Sequence, residues 1–108
     1  MSAEQAAFDE TIHAPVRLRI SGMLRGVEKI DFAVLRDTIG ISDATLSKHL
    51  KVLGDAGYIT TSKVRSATRN DARRLTWISQ TATGRAAFDA HVAELRRITG
   101  DLGGALDQ

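Results

Sequence analysis

The sequence predicts one mainly α-helical domain with a small β-hairpin, an α+β arrangement, on three observations. Its 108 residues, 43% of them hydrophobic, suffice for one compact core and are too few for two ordinary ones. Several segments carry apolar residues at helical spacing between capping and stopping residues. Two runs rich in β-branched residues then flank a polar, turn-forming stretch between the last two of those segments.

In chain order, Ala3 to Ile12 reads as a short helix with Phe8 and Ile12 on one side. Pro15 suits the first turn of a second helix, because it lacks only an N–H that would be unpaired there. That helix, PVRLRISGMLRG, buries some combination of Val16, Leu18, Ile20, Met23 and Leu24 and ends near Gly26. Gly22 within it costs about 1 kcal/mol relative to alanine. A short extended stretch around Lys29 and Ile30 follows, and Asp31 stands where it can cap the helix FAVLRDTI. Gly40 and Ile41 turn the chain into Ser42, the cap of the segment SDATLSKHLKVLGDAG. There Leu50 and Leu53 fall within about 40° of Leu46, making one narrow apolar stripe. The opposite side holds Ala44, Thr45, Lys48, Lys51 and Val52, a small and basic surface.

Tyr58 to Val64 reads as a strand, Arg74 to Ser79 as its partner, and the intervening SATRNDAR as a long basic hairpin tip. Thr81 can cap a last helix from Ala82 to about Thr99, with Phe88, Val92 and Leu95 at i, i+4 and i+7. The tail GDLGGALDQ is expected to fray. The order of helix, helix, short strand, helix, turn, helix, hairpin and long helix describes a winged helix-turn-helix. A helix about 10–12 Å across fits the major groove of B-DNA, and arginines on a hairpin tip suit the flanking backbone or the minor groove.

Charge is uneven along the chain in the same sense. Ser42 to Arg74 holds seven basic residues against three acids, a local net of +4 within an overall +2. Such a cluster marks a nucleic-acid footprint only if the fold gathers it on one side.

The sequence resembles the winged-helix transcriptional regulators related to the MarR and ArsR groups, especially their short stand-alone members. IHAPVRLRI (Ile12 to Ile20), DFAVLRDTIGISDATLSKHLKVLGDAGYI (Asp31 to Ile59) and TATGRAAF (Thr81 to Phe88) carry the likeness, which spans nearly the whole chain. The resemblance implies that Ser42 to Leu53 is the recognition helix, with Asp43, Ala44, Thr45, Ser47, Lys48 and Lys51 as groove or phosphate contacts. It implies a wing over Lys63 to Arg74, with Lys63, Arg65, Arg69 and Arg73 as its contacts. The wing differs from the family's compact Gly-Arg-Arg-Pro-type turn, since SKVRSATRNDARRLTW has neither glycine nor proline. Ala82 likewise stands where the family has a proline after the last helix's cap.

No cysteine occurs, which removes disulfides, thiolate metal sites and cysteine nucleophiles. His13, His49 and His91 are not helical neighbours of one another, so no metal or other cofactor is expected, and His49 flanks the leucine stripe as a packed, locally bonded residue. Trp77 and Tyr58 are expected to pack against the helices rather than to form an effector cage. No nucleophile motif accompanies the scattered Ser, His and Asp residues, so no enzymatic activity is expected. No apolar run approaches the roughly 18 residues of a membrane span, and MSAEQAAFDE lacks the regions of a signal peptide, so a cytoplasmic protein without a membrane partner is expected.

The expected function is a sequence-specific, double-stranded DNA-binding transcriptional regulator, a repressor, acting as a homodimer through Phe8, Ile12, Phe88, Val92 and Leu95. An unknown small-molecule effector at the dimer interface is compatible with it, although no pocket chemistry names one. The competing reading is a winged-helix module that docks a protein through its hairpin or final helix without touching DNA. The basic bias of Ser42 to Arg74 argues against that alternative.

Overall fold

The computed structural model describes residues 7–65 and 74–106. Asp9 has extended backbone, and its side chain accepts the Ile12 N–H at 3.2 Å, opening a four-residue helix α1 (Glu10–His13). Of the helix expected from Ala3 to Ile12, Ala3 to Ala6 lie outside the described residues, and Phe8 and Asp9 are not helical. A short carboxylate that can bond a nearby backbone N–H competes with continued helix and wins here. Pro15 then starts α2 (Pro15–Arg25) at its first position, as its missing N–H dictates.

β1 (Ile30–Asp31) leads directly into α3 (Phe32–Ile39). Asp31 occupies the cap position, but its side chain makes no capping bond, which corrects its expected role. Gly40 ends α3 at φ 80°, the left-handed region where a side chain is strained, and its N–H bonds the Arg36 carbonyl at 2.8 Å. Ser42 caps α4 (Asp43–Asp55), its Oγ accepting the Thr45 N–H at 3.1 Å. β2 (Ile59–Arg65), β3 (Arg74–Gln80) and α5 (Ala82–Leu106) complete the order.

The hairpin belongs to a three-stranded antiparallel sheet in the order β1-β3-β2. Ile30 lies opposite Ile78, and β2 pairs with β3 from Ile59 with Gln80 to Arg65 with Arg74. Alternation divides the sheet: Ile59, Thr61, Lys63, Thr76 and Ile78 share one face, with Ile59 and Ile78 buried in the core. Trp77 consequently points to the other face, where the Lys29 ammonium sits 4.5 Å from its ring centroid. Its expected packing against the helices is corrected by that parity.

The core gathers Ile20 and Leu24 from α2, Leu35 and Ile39 from α3, and Leu46, Leu50 and Leu53 from α4 against Ile59 and Ile78. Tyr58 packs at its edge. α5 runs to Leu106 rather than stopping near Thr99. Glycines weaken a helix by about 1 kcal/mol each without ending it as a proline would. No described helix is long and apolar enough to cross a membrane.

The start of α5 is fixed against the turn before β2. Thr81 donates its N–H to the Tyr58 carbonyl at 3.0 Å and its hydroxyl to the Gly57 carbonyl at 2.7 Å, while its Oγ1 accepts the Gly84 N–H at 2.9 Å. A Cβ at Gly84 would stand 2.1 Å from the Tyr58 carbonyl oxygen, so only glycine allows this approach. Gly84→Ala should therefore lower unfolding free energy by about 1–3 kcal/mol, in the range of overpacked sites. Thr81→Ala should cost about 1 kcal/mol through the lost cap. Urea unfolding measures both, and a Gly84→Ala midpoint equal to that of the parent would refute the close approach.

Candidate nucleic-acid interface

The leucine stripe turns α4 so that its other side meets solvent. Leu46, Leu50 and Leu53 are buried, whereas Asp43, Ala44, Thr45, Ser47, Lys48 and Lys51 are all exposed. The structure thus places the six expected helix contacts on an accessible surface, though their side chains are not equivalent.

Asp43 is already occupied. The Arg36 guanidinium spans Asp37 and Asp43 at 2.8 Å each, strapping α3 to the first turn of α4. Those two carboxylates push the Arg36 pKa up, hydrogen bonds to Asp37 first and Asp43 second, while Arg36 in turn holds the Asp37 carboxyl below its ordinary range. Thr45 belongs to the cap: the Ser42 hydroxyl donates to Thr45 Oγ1 at 2.9 Å. Since that bond uses a lone pair, the Thr45 hydroxyl proton is left to point elsewhere. Lys51 pairs with Asp55 one turn on at 3.0 Å, both side chains largely exposed. Lys48 makes no ion pair among the described residues.

Beside this surface a cleft of about 480 Å³ opens between α4 and the inner face of the sheet. Phe32, Leu50 and Ile59 contribute apolar lining, and Ser47, Lys51, Thr61, Lys63 and Thr76 contribute hydroxyls and ammonium groups. Helix and wing residues read separately from the sequence, Ser47, Lys51 and Lys63, therefore meet at one cleft, joined by Thr61 and Thr76, which the sequence reading did not single out. Their signal was the period-2 parity with Ile59 and Ile78. Arg65 lies at the end of β2 with its side chain outside the described ones, and Arg69 and Arg73 lie outside the described residues.

His49 is half-buried beside this surface, its Nδ1 3.1 Å from Arg17 Nη1, while Arg17 Nε donates to the Thr11 carbonyl. A guanidinium only donates, so Nδ1 accepts and the neutral ring carries its proton on Nε2. Burial first, then the charges of Arg17 and Lys48, push the His49 pKa down.

Among the residues expected at a dimer interface, Ile12 is fully buried in its own chain and presents no area to a second copy in this conformation. Phe8 is half-buried against the rings of His13 and His91, at centroid distances of 4.9 and 4.8 Å. Phe88 lies over Gly22, and Val92 and Leu95 are half-buried further along α5, with exposed Ile98 beyond them.

A polar cluster under this helix escaped the sequence reading. Asp9 donates its backbone N–H to His91 Nδ1 at 3.0 Å, His91 Nε2 lies 3.1 Å from His13 Nδ1, and the Tyr58 hydroxyl donates to Asp9 Oδ2. Separations of 82 and 78 residues leave no local signal for it.

Residues 16–99 match the family model described as a winged helix DNA-binding domain. An uncharacterized protein of Methanocaldococcus jannaschii is 30% identical over 87 residues, covering 81% of this chain and 90% of that protein. Among solved structures, a transcriptional regulator homologue from Pyrococcus horikoshii superposes with a TM-score of 0.80 at 22% identity, over 92% of this chain and 94% of that one. NadR in complex with 4-hydroxyphenylacetate gives a TM-score of 0.65 at 20% identity, over 95% of this chain and 70% of that one. The winged-helix likeness carried by three sequence segments thus extends to the fold.

Tyr58 is the only tyrosine in the chain, which makes its bond to Asp9 measurable. That bond, then burial and the Asp9 charge, push its pKa up to about 12. A raised folded pKa stabilises the fold fully below the unfolded value near 10, and the contribution is lost as pH rises through about 12. Absorbance titration should place the phenol near 12 in the parent and closer to 10 in Asp9→Asn; coincident curves would remove the bond.

Proposed function

The chain belongs to the winged helix DNA-binding domain family, and on that premise we propose that it is a homodimeric, sequence-specific regulator of transcription that represses its targets in the cytoplasm. In this reading α4 enters the major groove of double-stranded DNA, and the wing follows the flanking backbone or the minor groove. The observation that carries it is the exposed face of α4, small and hydroxylic at its start and basic at Lys48 and Lys51, held outward by a fully used leucine stripe.

The residues then divide by reach. Ala44 and Thr45, in the first turn of α4, stand nearest the bases, where a methyl and a free hydroxyl proton suit a thymine methyl and an acceptor edge. Ser47, Lys48, Lys51 and Lys63 face phosphates, and Arg65, Arg69 and Arg73 extend that contact along the wing. Asp43 serves the interface by bonding Arg36, which positions the first turn of α4.

The dimer is supported by α5. Its 25 residues span about 37 Å, and its described side chains from Arg96 to Thr99 are exposed, carrying Ile98 with them. A two-fold pairing of this helix through Val92, Leu95 and neighbouring Phe8 and Phe88 would bury that apolar surface and present two copies of α4 to successive half-sites. Control by a small molecule fits the same reading, by similarity to NadR, whose solved complex holds 4-hydroxyphenylacetate.

Gel shifts on the DNA upstream of its own gene, titrated with salt, test this function; no salt-sensitive shift at any protein concentration would favour a protein-docking module instead. Lys48→Ala and Arg69→Ala should each weaken binding and flatten the log-log salt slope by about 0.9 per phosphate contact. An unchanged slope in both would take them off the interface. Thr45→Ala should change base preference by about 1–3 kcal/mol at one position. Leu95→Asp should shift the sedimenting species toward monomer and weaken binding to a two-half-site operator.

A further inference from the structure

The directions of the bonds around His91 determine which protonation state the cluster accepts. A backbone N–H only donates, so His91 Nδ1 accepts from Asp9, and the ring proton lies on Nε2. That proton points at His13 Nδ1, 3.1 Å away, which must accept it. A proton added to either Nδ1 would set one N–H against another. The Asp9 carboxylate, the natural counter-ion, is committed elsewhere: Oδ1 accepts the Ile12 N–H and Oδ2 the Tyr58 hydroxyl. Phe8 closes the cluster with its ring against both imidazoles. His91 is fully buried and His13 is exposed, so the cluster meets solvent on the His13 side.

The short helix between these residues also reaches the reading helix. The Thr11 carbonyl in α1 accepts from Arg17, whose second nitrogen holds His49 of α4. α1 is thus bonded to α5 at both ends, through Asp9 and His13, and through Thr11 between them and Arg17 to α4.

We propose that Asp9, His13 and His91 form a proton-operated latch: with both imidazoles neutral it locks α1 between α5 and α4, and acidification releases α1 and loosens the seat of α4. The consequence for DNA rests on the function proposed above. The titratable groups facing His91 are His13 and Asp9, with Tyr58 behind Asp9. The nearby charges of α2 and α5 are engaged by others, Arg25 by Asp89, Arg17 by His49 and the Thr11 carbonyl, and Glu94 by Arg97.

Burial, and then the charge of His13, hold the His91 pKa below its ordinary value of 6.5, with Asp9 opposing. The folded state therefore binds fewer protons than the unfolded chain, and the contribution of His91 is complete above pH 6.5 and declines as pH falls through the lowered folded value. His49 has the same sign. Simple charge attraction predicts the opposite for DNA, since each added positive charge strengthens binding to phosphates. The sign of the pH effect therefore separates a latch from electrostatics.

Imidazole and amide spectra of the ¹⁵N-labelled full chain, followed without DNA from about pH 8 to about pH 5, read the latch directly. The expected result is an Nε2–H tautomer at His91 at the upper end. The Asp9 amide should then shift and lose exchange protection with the same midpoint, below 6.5, as His91 titrates. DNA affinity should fall by about tenfold over that midpoint, within the usual span of coupling between sites. His13→Asn keeps an acceptor for His91 without a titrating ring, lies on the surface and should flatten that fall; His91→Asn, which keeps an acceptor for Asp9, should abolish it. An Asp9 amide that ignores the titration of His91, or equal pH profiles for the parent and His13→Asn, would overturn the latch. Absence of DNA binding at every pH would instead sink the proposed function, and the spectra alone would then decide the latch.

Discussion

The turn at Tyr58 is the constraint from which the geometry of the proposed DNA-facing surface follows. Its N–H bonds the Leu53 carbonyl at 3.0 Å, closing α4, and its carbonyl receives the Thr81 N–H that opens α5. Its hydroxyl reaches Asp9 at the head of α1, and the backbone of Gly84 lies against it. One residue thus connects the end of the reading helix, the start of the wing, the base of the long helix and the N-terminal segment. The angle between α4 and β2, and hence the cleft that brings Lys51 beside Lys63, is set there. A displacement at this turn would move all four elements, which explains why a carbonyl approach that excludes every side chain but glycine's is tolerated.

Features carried by neighbouring residues were legible in the sequence, and features made by distant ones were not. Ser42 and Thr81 as caps, Gly40 as a stop, Pro15 as a start and the Leu46, Leu50 and Leu53 stripe each depend on contacts within a turn or two, and all stand as read. The reason for the glycine in TATG, the Tyr58 carbonyl, lies 26 residues earlier in the chain and leaves no local signal. The pairing of Ile30 with Ile78 turned an isolated extended stretch into a third strand and committed the Asp31 backbone to β1. Asp9 read as one polar residue within a helix, since nothing local announced that His91 and Tyr58 would claim its backbone and side chain. Of the candidate interface, the helix face was legible from periodicity; the meeting of Ser47, Lys51, Lys63, Thr61 and Thr76 required the strand register.

The basic excess between Ser42 and Arg74 changes meaning once pairs are drawn. Its described acids are both occupied, Asp43 by Arg36 and Asp55 by Lys51, so their negative charge is partly screened from an approaching phosphate. Such exposed pairs contribute little to stability, because water screens them. Lys51 can therefore exchange Asp55 for a phosphate at small cost, whereas Lys48 has no ion-pair partner among the described residues to give up. Asp43 differs again, because releasing it would free Arg36 and slacken the strap between the two helices of the helix-turn-helix. Its carboxylate also lies at the N-terminal end of α4, where negative charge stabilises the helix dipole.

α5 joins the two ends of this system. Its first turn is fastened to the Tyr58 turn, its middle carries buried His91, and beyond half-buried Leu95 its described side chains, Ile98 among them, are exposed. In a two-fold dimer built on its later turns, the separation of the two α4 helices would depend on how rigidly α4 is held to α5 within each copy. Half-sites on one face of B-DNA recur about every 34 Å, so a small rotation within each copy would spoil both fits at once. The fastening has two layers: the backbone bonds at Thr81, which do not titrate, and the route through α1, which runs from His91 to Asp9 and from Thr11 through Arg17 to His49. Only the second contains imidazoles, those of His91 and His49, whose pKa values burial pushes down. With the proposed latch, the seat of α4 would respond to acid while the fold, secured by the first layer and the leucine core, persists.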